Sequence, residues 1–396
     1  MPMTNGSVVV RTVLLALVLL TGMRLWAQPM PESVAARMDS LLRNDMFRTS
    51  QVALAVYDLT ADSVLYAHNE QQLMRPASTM KLLTAIAAID KLGGGYRLCT
   101  DLCYTGRIVQ RTLQGTVYCV GGMDPRFNSD DMAAFVESLH RMGVDTLRGK
   151  ICADKSMKEA APWGEGWCWD DENPVLTPLL YGGKDRFMER LQTVLREAGI
   201  VVEADIVEGV KPDSAYCICS RFHTIDQILM RMMKESDNLY AEAMFYQLAA
   251  ATGNRPATAA DARRLMAKLL ERVGIIPTHY RIADGSGLSL YNYVTAELEI
   301  ALLRYAYQNK NVYLHLLPSL PIAGEDGTLK NRMGGAFTKG NVQAKTGSVM
   351  GVYTLAGYCT AANGHRLCFA IINQGVQRAR FARKFQDEVC RALCAP

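Results

Sequence analysis

Residues 75–95 read RPASTMKLLTAIAAIDKLGGG, and this stretch sets the local structure around a candidate reactive serine. Pro76 ends any preceding helix, and apolar residues then recur at helical spacing from Leu82 to Ile89, until the glycine run at 93–95. The pattern predicts a buried helix. Ser78 and Lys81 lie on its first turn, where residues three apart in sequence are neighbours in space.

Two further motifs follow. Ser236-Asp-Asn238 lies between a Met-rich helical stretch, 225–234, and a second predicted helix, 239–250. Lys345-Thr-Gly347 lies on a predicted exposed edge strand. An S-x-x-K pattern arises about once by chance in a chain of this length, whereas S-D-N and K-T-G each arise roughly one time in fifteen. The ordered triple therefore indicates a serine acyl-transfer site.

Each motif alone also has a purely structural explanation. Ser78 and Lys81 can be a solvated first-turn pair, and Ser236 can belong to a helix N-cap. Lys345 can be a charge that protects an edge strand from aggregation. The order of the three motifs in one chain favours the catalytic interpretation.

The first two motifs supply the groups for nucleophilic catalysis. The Ser78 hydroxyl needs a base, and Lys81 can serve if burial and a neighbouring positive charge, for which Lys345 is the candidate, lower its pKa. The Ser236 hydroxyl can pass a proton between Lys81 and a leaving amine. The Asn238 amide can hold either the substrate or the lysine.

The third motif supplies groups for binding. Lys345 and Thr346 can receive a substrate carboxylate, and Gly347 lets an extended peptide lie close to the strand. The backbone N–H of Ser348, together with that of Ser78, would form an oxyanion hole. We expect no metal and no cofactor in this chemistry.

The N-terminal residues 1–27 resemble an export signal. Arg11 precedes an apolar run from Val13 to Leu20, and a small residue precedes the expected cleavage site before Gln28. The run is too short to span a bilayer, and the sequence predicts no transmembrane anchor elsewhere. We therefore expect an exported, periplasmic protein.

Composition limits the remaining possibilities. The chain has 396 residues, 49% of them apolar, which favours two or three domains. Without residues 1–27 it keeps 41 basic and 39 acidic residues, and it lacks a basic stripe interleaved with aromatic residues. We therefore expect no nucleic-acid partner.

Eleven cysteines in an exported protein suggest disulfides. Asn363-Gly364 predicts a two-residue hairpin turn between strands at 352–360 and 367–373, which sets Cys359 opposite Cys368. Two interpretations stay open for this pair: a cross-strand disulfide, or two buried thiols that pack as small hydrophobes.

The pattern of predicted elements suggests one domain interrupted by another. A hairpin at 52–69 and strands at 341–373 lie near the two ends of the chain, with helices between them. Residues 98–215 differ in character and are interpreted as an inserted domain. The interrupted domain then comprises residues 28–97 and 216–396. Its last helix, 378–393, is amphipathic and can either touch a membrane surface or pack on its own sheet.

Five segments around the motifs carry a resemblance to the class C, type-4 D-alanyl-D-alanine carboxypeptidases/endopeptidases, which are low-molecular-mass penicillin-binding proteins and serine peptidases. These segments are Arg75–Lys81, Gly121–Pro125, Asp284–Leu288, Ala323–Thr328 and Ala344–Tyr353. The likeness runs from about residue 50 to 375. It implies an α+β fold: a penicillin-recognising serine transpeptidase/β-lactamase-like domain, with a mixed, mainly antiparallel sheet flanked by helices, interrupted by a smaller inserted α/β domain.

The resemblance implies Ser78 as the acylated nucleophile, Lys81 as the general base, Ser236 and Asn238 as the second motif, and Lys345 and Thr346 as carboxylate binders. Asp124 can lie near the bound peptide, although a tight Asp-Pro turn explains it equally well. The inserted domain is shorter than the family's usual insertion, and the many cysteines are not part of the family pattern.

We therefore expect a serine-type D-Ala-D-Ala carboxypeptidase that acts on peptidoglycan stem peptides through a Ser78 acyl-enzyme, with β-lactams as covalent inhibitors. Additional D,D-endopeptidase activity stays open. Two alternatives remain: a β-lactamase of the same fold, and a non-catalytic scaffold that binds the cell wall. Whether the protein dimerises does not follow from the sequence.

Overall fold

The computed structural model describes residues 33–170 and 173–396. The predicted export signal, 1–27, lies outside the described residues. The described chain forms two five-stranded sheets with helices packed on them. This arrangement agrees with the predicted α+β class.

The first sheet joins the two ends of the chain and is antiparallel throughout, with the strand order β2-β1-β10-β9-β8. Its strands are β1 (Gln51–Asp58), β2 (Ser63–His68), β8 (Gln343–Val349), β9 (Val352–Thr360) and β10 (Arg366–Gln374). The predicted N-terminal hairpin is confirmed, and the predicted C-terminal strands complete the same sheet. As predicted, β8, which carries the third motif, is an edge strand.

The second sheet has the order β6-β5-β4-β3-β7, with parallel pairing between β4, β5 and β6. Its strands are β3 (Arg97–Val109), β4 (Thr112–Val120), β5 (Thr146–Asp154), β6 (Val201–Glu208) and β7 (Tyr216–Thr224). Helices α3 (Ser129–Arg141) and α4 (Phe187–Glu197) pack with it around a separate apolar cluster. Because β7 pairs with β3, this sheet extends nine residues beyond position 215, where the sequence placed the end of the insertion.

Helices cover both faces of the first sheet. One face packs against α1 (Val34–Leu42) and α10 (Ala379–Cys394). The other packs against the remaining helices, which are α2 (Met80–Leu92), α5 (Ile225–Lys234), α6 (Asn238–Ala250), α7 (Ala259–Arg272), α8 (Ala296–Gln308) and α9 (Lys310–Ser319). The alternation of side chains along β1 sends Leu54 to the first face and Ala55 to the second. The central helix α2 is buried over ten residues, as its apolar spacing predicted.

The predicted pairing of Cys359 with Cys368 is wrong. The hairpin between β9 and β10 pairs Ala361 with His365, so three residues form the loop instead of two. Cys359 therefore faces Leu367, and a one-residue change of register moves side chains to opposite faces of the sheet. Cys359 lies in the cluster under α10, whereas Cys368 lies in the cluster on the other face. All eleven cysteines lie in the described ranges, and each is a free thiol there.

The amphipathic C-terminal helix α10 packs on its own sheet. Phe385 and Val389 are buried in the cluster that α10 shares with β9 and β10. Most of its apolar face is therefore covered by protein, whereas Phe381 stays exposed. Within the part of the chain that the structure describes, no helix combines the length and the apolar character needed to cross a bilayer.

Candidate active site

The candidate nucleophile lies in a strained turn at the start of α2. Ser78 occupies a short 3-10 turn, Ala77–Thr79, directly before the helix. Ala77 has a φ of +46°, which an L-residue with a side chain adopts only when its surroundings impose it. The Ser78 hydroxyl lies 3.0 Å from the Lys81 amine. The predicted contact across one turn is therefore present.

Lys81 is held by contacts from two other parts of the chain. Its amine donates to the side-chain oxygen of Asn238 at 2.8 Å and to the backbone carbonyl of Ser286 at 2.7 Å. Of the two roles considered for Asn238, the structure therefore places its amide on the lysine. With three oxygen neighbours, the amine is fixed beside the Ser78 hydroxyl.

Burial is the main influence on the acid–base properties of Lys81. The side chain is fully buried, which lowers its pKa to about 8 because the charged form loses its hydration. The negative charges of Asp284 and Glu242 act in the opposite direction. Of the two predicted causes, burial lowers the pKa of Lys81, and the charge of Lys345 is not among the causes.

Lys345 and Ser236 form a second lysine–hydroxyl pair. The Lys345 amine donates to the Ser236 hydroxyl at 2.9 Å and to the Thr346 carbonyl at 2.7 Å. Burial and the positive charge of Lys81 lower the pKa of Lys345 well below its usual value. Ser236 itself has a φ of +60°, so both motif serines lie at or beside a strained backbone position. The structure brings Ser236 to Lys345 rather than to Lys81.

Three of the five predicted binding residues line one cavity of about 1190 Å³ with the candidate nucleophile, whereas Lys345 is fully buried behind it and Asn238 lines a neighbouring cavity. Ser78, Ser236, Thr346, Gly347 and Ser348 all contribute to its wall. The hydroxyl groups of Thr346 and Thr328 lie 2.7 Å apart on this wall. The three sequence motifs, up to 267 positions apart, therefore meet in one place.

Gly347 is needed for a reason that the sequence did not indicate. A methyl group at this position would lie 2.0 Å from the Thr354 hydroxyl oxygen and 2.8 Å from the Ser78 backbone nitrogen. Both distances are well inside contact range. Because Gly347 has no side chain, the turn that carries Ser78 can pack against β8. The sequence predicted a different role for this glycine, the close approach of a substrate peptide.

A comparison with protein-family models identifies the family of the chain. The model of the D-Ala-D-Ala carboxypeptidase 3 (S13) family, Peptidase_S13, matches residues 34–179 and 182–393. The chain belongs to the S13 family. The predicted family resemblance and the predicted enzyme class, a serine-type D-Ala-D-Ala carboxypeptidase, are thereby confirmed.

Individual relatives agree with this assignment. The D-alanyl-D-alanine carboxypeptidase DacB of Haemophilus influenzae is 25% identical, over 81% of this chain and 84% of that protein. The D-alanyl-D-alanine carboxypeptidase of Actinomadura sp. is 25% identical, over 85% and 80%. The crystal structure of penicillin binding protein 4 from H. influenzae superposes with a TM-score of 0.82 at 23% identity, covering 90% of this chain and 98% of that one. This last likeness confirms the predicted fold.

A buried loop that includes Asp284–Leu288, one of the five segments of the family resemblance, holds Lys81 in position. Asp284 accepts hydrogen bonds from the backbone N–H groups of Gly287 and Ser289, at 2.8 and 2.7 Å. These bonds fix the turn whose Ser286 carbonyl contacts Lys81. This segment carries part of the family resemblance, but the sequence alone assigns it no role. Its signal was an acid followed by two glycines, which is typical of a tight turn.

Two residues from other parts of the chain, to which the sequence alone assigns no role, form hydrogen bonds with this loop. The buried Glu242, on α6, accepts from the backbone N–H groups of Gly285 and Ser286, at 3.1 and 2.8 Å. Burial raises the pKa of Glu242 to about 8. Trp167, which lies between β5 and α4, donates its indole N–H to Asp284 at 2.8 Å. Glu242 lies one helical turn after Asn238, which is the only sequence signal for it.

Asp124 is a buried turn residue. Its carboxylate accepts from the backbone N–H of Arg126 at 2.9 Å and lies 2.6 Å from the His223 ring. The side chain does not line the cavity that contains Ser78. Of the two interpretations of the Asp-Pro segment, the structure favours the turn.

Proposed function

We propose that this S13-family chain removes the terminal D-alanine from peptidoglycan stem peptides through a covalent acyl-enzyme on Ser78. The observation that carries the proposal is the 3.0 Å contact between the Ser78 hydroxyl and the Lys81 amine. It lies at the wall of a cavity that Thr346 and Ser348 also line. This arrangement unites a nucleophile, a base and groups that suit a carboxylate.

Acylation begins with proton transfer. Because burial lowers the pKa of Lys81 to about 8, a useful fraction of the amine is neutral near pH 7 and can accept the Ser78 proton. The serine oxygen then attacks the carbonyl carbon of the penultimate D-alanine. The backbone N–H groups of Ser78 and Ser348 stabilise the oxyanion, a role supported by the close packing of the nucleophile turn on β8.

The second lysine–hydroxyl pair serves the leaving group. As the amide C–N bond breaks, the leaving amine needs a proton, and the Ser236 hydroxyl can give one while Lys345 replaces it across their 2.9 Å contact. Water then hydrolyses the Ser78 ester and releases the shortened peptide. Asn238 keeps Lys81 oriented through both half-reactions.

The terminal carboxylate binds beside Thr346 and Thr328, whose hydroxyl groups already lie 2.7 Å apart. In the empty site, burial and Lys81 hold the pKa of Lys345 low. The arriving negative charge favours the protonated lysine, so substrate binding draws a proton onto Lys345. A D-Ala-D-Ala terminus supplies this carboxylate, and a β-lactam carries a comparable one.

The protein acts outside the cytoplasm in this proposal. Support comes from the composition of residues 1–27, which match an export signal, and from the location of peptidoglycan itself. We place it in the periplasm.

Intact-mass spectrometry with benzylpenicillin tests the proposal, with Ser78→Ala as the matched variant. A single adduct on the wild-type protein alone, together with release of D-alanine from a peptide ending in D-Ala-D-Ala, is the expected result. Penicillin hydrolysis without a lasting adduct would favour a β-lactamase instead. If neither an adduct nor D-alanine release occurs while both proteins are folded, the protein is a scaffold and the proposal fails.

A further inference from the structure

Two cysteines of the second sheet face each other directly. Strand β3 pairs with β7, and in their register Cys103 lies opposite Cys217. At the neighbouring position Tyr104 lies opposite Tyr216, with ring centroids 5.8 Å apart, so side chains of the two strands meet here. Facing residues of antiparallel strands have Cα atoms about 4.5–5.5 Å apart, which lies within the roughly 4.4–6.8 Å that a disulfide spans. The backbone therefore has the spacing that a bond between Cys103 and Cys217 needs.

The two thiols contact each other but differ in exposure. Cys103 is buried, whereas Cys217 is exposed. Burial, together with a hydrogen bond that the Cys103 thiol donates to Cys217, raises the pKa of Cys103 to about 12. Cys217 is therefore the thiol that an external reagent meets first, and Cys103 lies behind it as its neighbour.

The other cysteines of these two strands do not face a cysteine. Cys99 of β3 lies opposite Phe222, and Cys219 of β7 lies opposite Leu102. The two strands together carry four cysteines. Their register therefore distinguishes one pair, because only residues that face each other across the strands have the spacing of a disulfide.

The pair lies at a weak point of the sheet. β7 is an edge strand, so only β3 holds it. The register of this pairing shifts between Leu102 and Cys103, which interrupts the hydrogen-bonded ladder beside the pair. β7 ends at Thr224, which caps α5, and α5 leads to the second motif at Ser236. A covalent bond at this position would fix the strand that brings the chain back from the second sheet to the active site.

We propose that Cys103 and Cys217 are a modification site at which a disulfide joins β3 to β7. The structure shows the reduced form of the pair. The two residues are 114 positions apart in sequence, so the bond closes a long loop that contains β4, β5 and β6. Such a cross-link restricts the unfolded chain and thereby stabilises the folded protein. The inference requires export to a compartment that permits disulfides, but it does not depend on acyl transfer at Ser78.

Oxidation of the pair needs a disulfide donor, and an exported thiol–disulfide oxidoreductase has the required chemistry. The Cys217 thiolate attacks one sulfur of the donor disulfide, which breaks the donor S–S bond and releases one donor thiolate. The Cys103 thiol then loses its proton and attacks the Cys217 sulfur of this mixed disulfide. The bond between Cys103 and Cys217 forms as the second donor thiolate leaves. Two electrons pass to the donor, and the two protons lost by the cysteines complete its dithiol.

Peptide mapping identifies the bond after two neighbouring cysteines are removed. Each tryptic peptide that contains a member of the pair also contains a second cysteine, Cys99 in one peptide and Cys219 in the other. In the variant Cys99→Ala, Cys219→Ala each peptide keeps one cysteine. The reduced variant is equilibrated in a glutathione buffer with the oxidised form in excess, its free thiols are alkylated, and it is digested. We expect the two peptides to be joined through Cys103 and Cys217.

The matched variant adds Cys217→Ala to the same background, at an exposed position where the change should not disturb folding. Reduction of the parent variant should lower its thermal unfolding midpoint by about 5 °C, because a long loop is released. The matched variant should not respond. A folded parent variant in which Cys103 and Cys217 are both alkylated, or in which either is joined to another cysteine, would overturn the inference. An equal response of both variants to reduction would overturn the stabilising role of the bond.

Acylation by benzylpenicillin is measured in the same samples. Neither cysteine lines the cavity that contains Ser78, so oxidised and reduced protein should be acylated at rates within about twofold of each other. A protein that is acylated but never forms the bond refutes this inference alone. Joined peptides in a folded protein that is not acylated and releases no D-alanine would support the inference and refute the proposed function.

Discussion

Lysines lie near both ends of the cavity, but in opposite environments. At one end Lys81 and Lys345 are fully buried, each in contact with a serine hydroxyl. At the other end Lys330, Arg380 and Arg383 are exposed and have no ion-pair partner among the described residues. Burial lowers the pKa of a lysine and makes it a base, whereas exposure keeps the charge and makes it an anion receptor. A lysine is therefore suited to proton transfer where it is buried and to holding an anion where it is exposed.

The strongest contrast should come from removing one lysine at each end. Lys81→Ala should reduce acylation by benzylpenicillin by about 10²–10⁴-fold near neutral pH, because Ser78 loses its base. Lys330→Ala should leave acylation within about twofold, since it is exposed and does not contact Ser78. Stopped-flow acylation rates and thermal unfolding of both variants provide the measurement. Normal acylation by folded Lys81→Ala would remove that lysine from its role.

A glycine at each end gives the second contrast. Gly347→Ala forces a methyl group against Thr354 and the Ser78 nitrogen, which should cost about 1–3 kcal/mol of stability and displace the nucleophile turn. At Gly335, which lines the exposed end, an added methyl group would lie 3.8 Å from the Thr338 hydroxyl oxygen. Gly335→Ala should therefore change neither stability nor acylation. Chemical denaturation and acylation rates measure both effects. An active, stable Gly347→Ala protein would contradict the close packing of the turn on β8.

The pH dependence of acylation should report the buried lysine. Below its pKa of about 8, Lys81 is protonated and cannot accept the serine proton, so the acylation rate should rise with pH and level off above about pH 8. Benzylpenicillin acylation measured from pH 6 to 9.5 gives the profile. Lys330→Ala, at the exposed end, should give the same midpoint. A flat profile would mean that Lys81 is not the base whose titration limits the rate.

The smallest expected effect concerns Glu242. Its pKa is raised to about 8, so at pH 7 the carboxyl is mostly neutral and Glu242→Gln should leave the acylation rate within about threefold. At higher pH the wild-type carboxylate forms and favours protonated Lys81, so the variant should shift the midpoint of the pH profile downward. Glu242→Ala, which also loses the hydrogen bonds to Gly285 and Ser286, should be far more damaging. An upward shift in Glu242→Gln would contradict this electrostatic role.

The sequence predicted what depends on spacing along the chain. The interval between Ser78 and Lys81 fixed their contact, because the helix pitch brings residues three apart together. Apolar periodicity predicted α5 and α6, and the polar–apolar alternation predicted the N-terminal hairpin. The ordered motifs predicted the family and most of the site, since each motif contains its functional side chains within four residues.

Tertiary structure determined the contacts between segments far apart in sequence. Packing joins Lys345 to Ser236, 109 positions away, and Lys81 to the Ser286 carbonyl, 205 positions away. The loop between β9 and β10 is one residue longer than predicted, so Cys359 lies opposite Leu367 instead of Cys368. The amphipathic pattern of α10 left two interpretations open, contact with a membrane or packing on its own sheet. In the structure α10 packs on the sheet, and its first turns form one wall of the cavity. The physical reason is the same in each case: local propensity fixes an element and its periodicity, while register, burial and partners are fixed only when the elements pack.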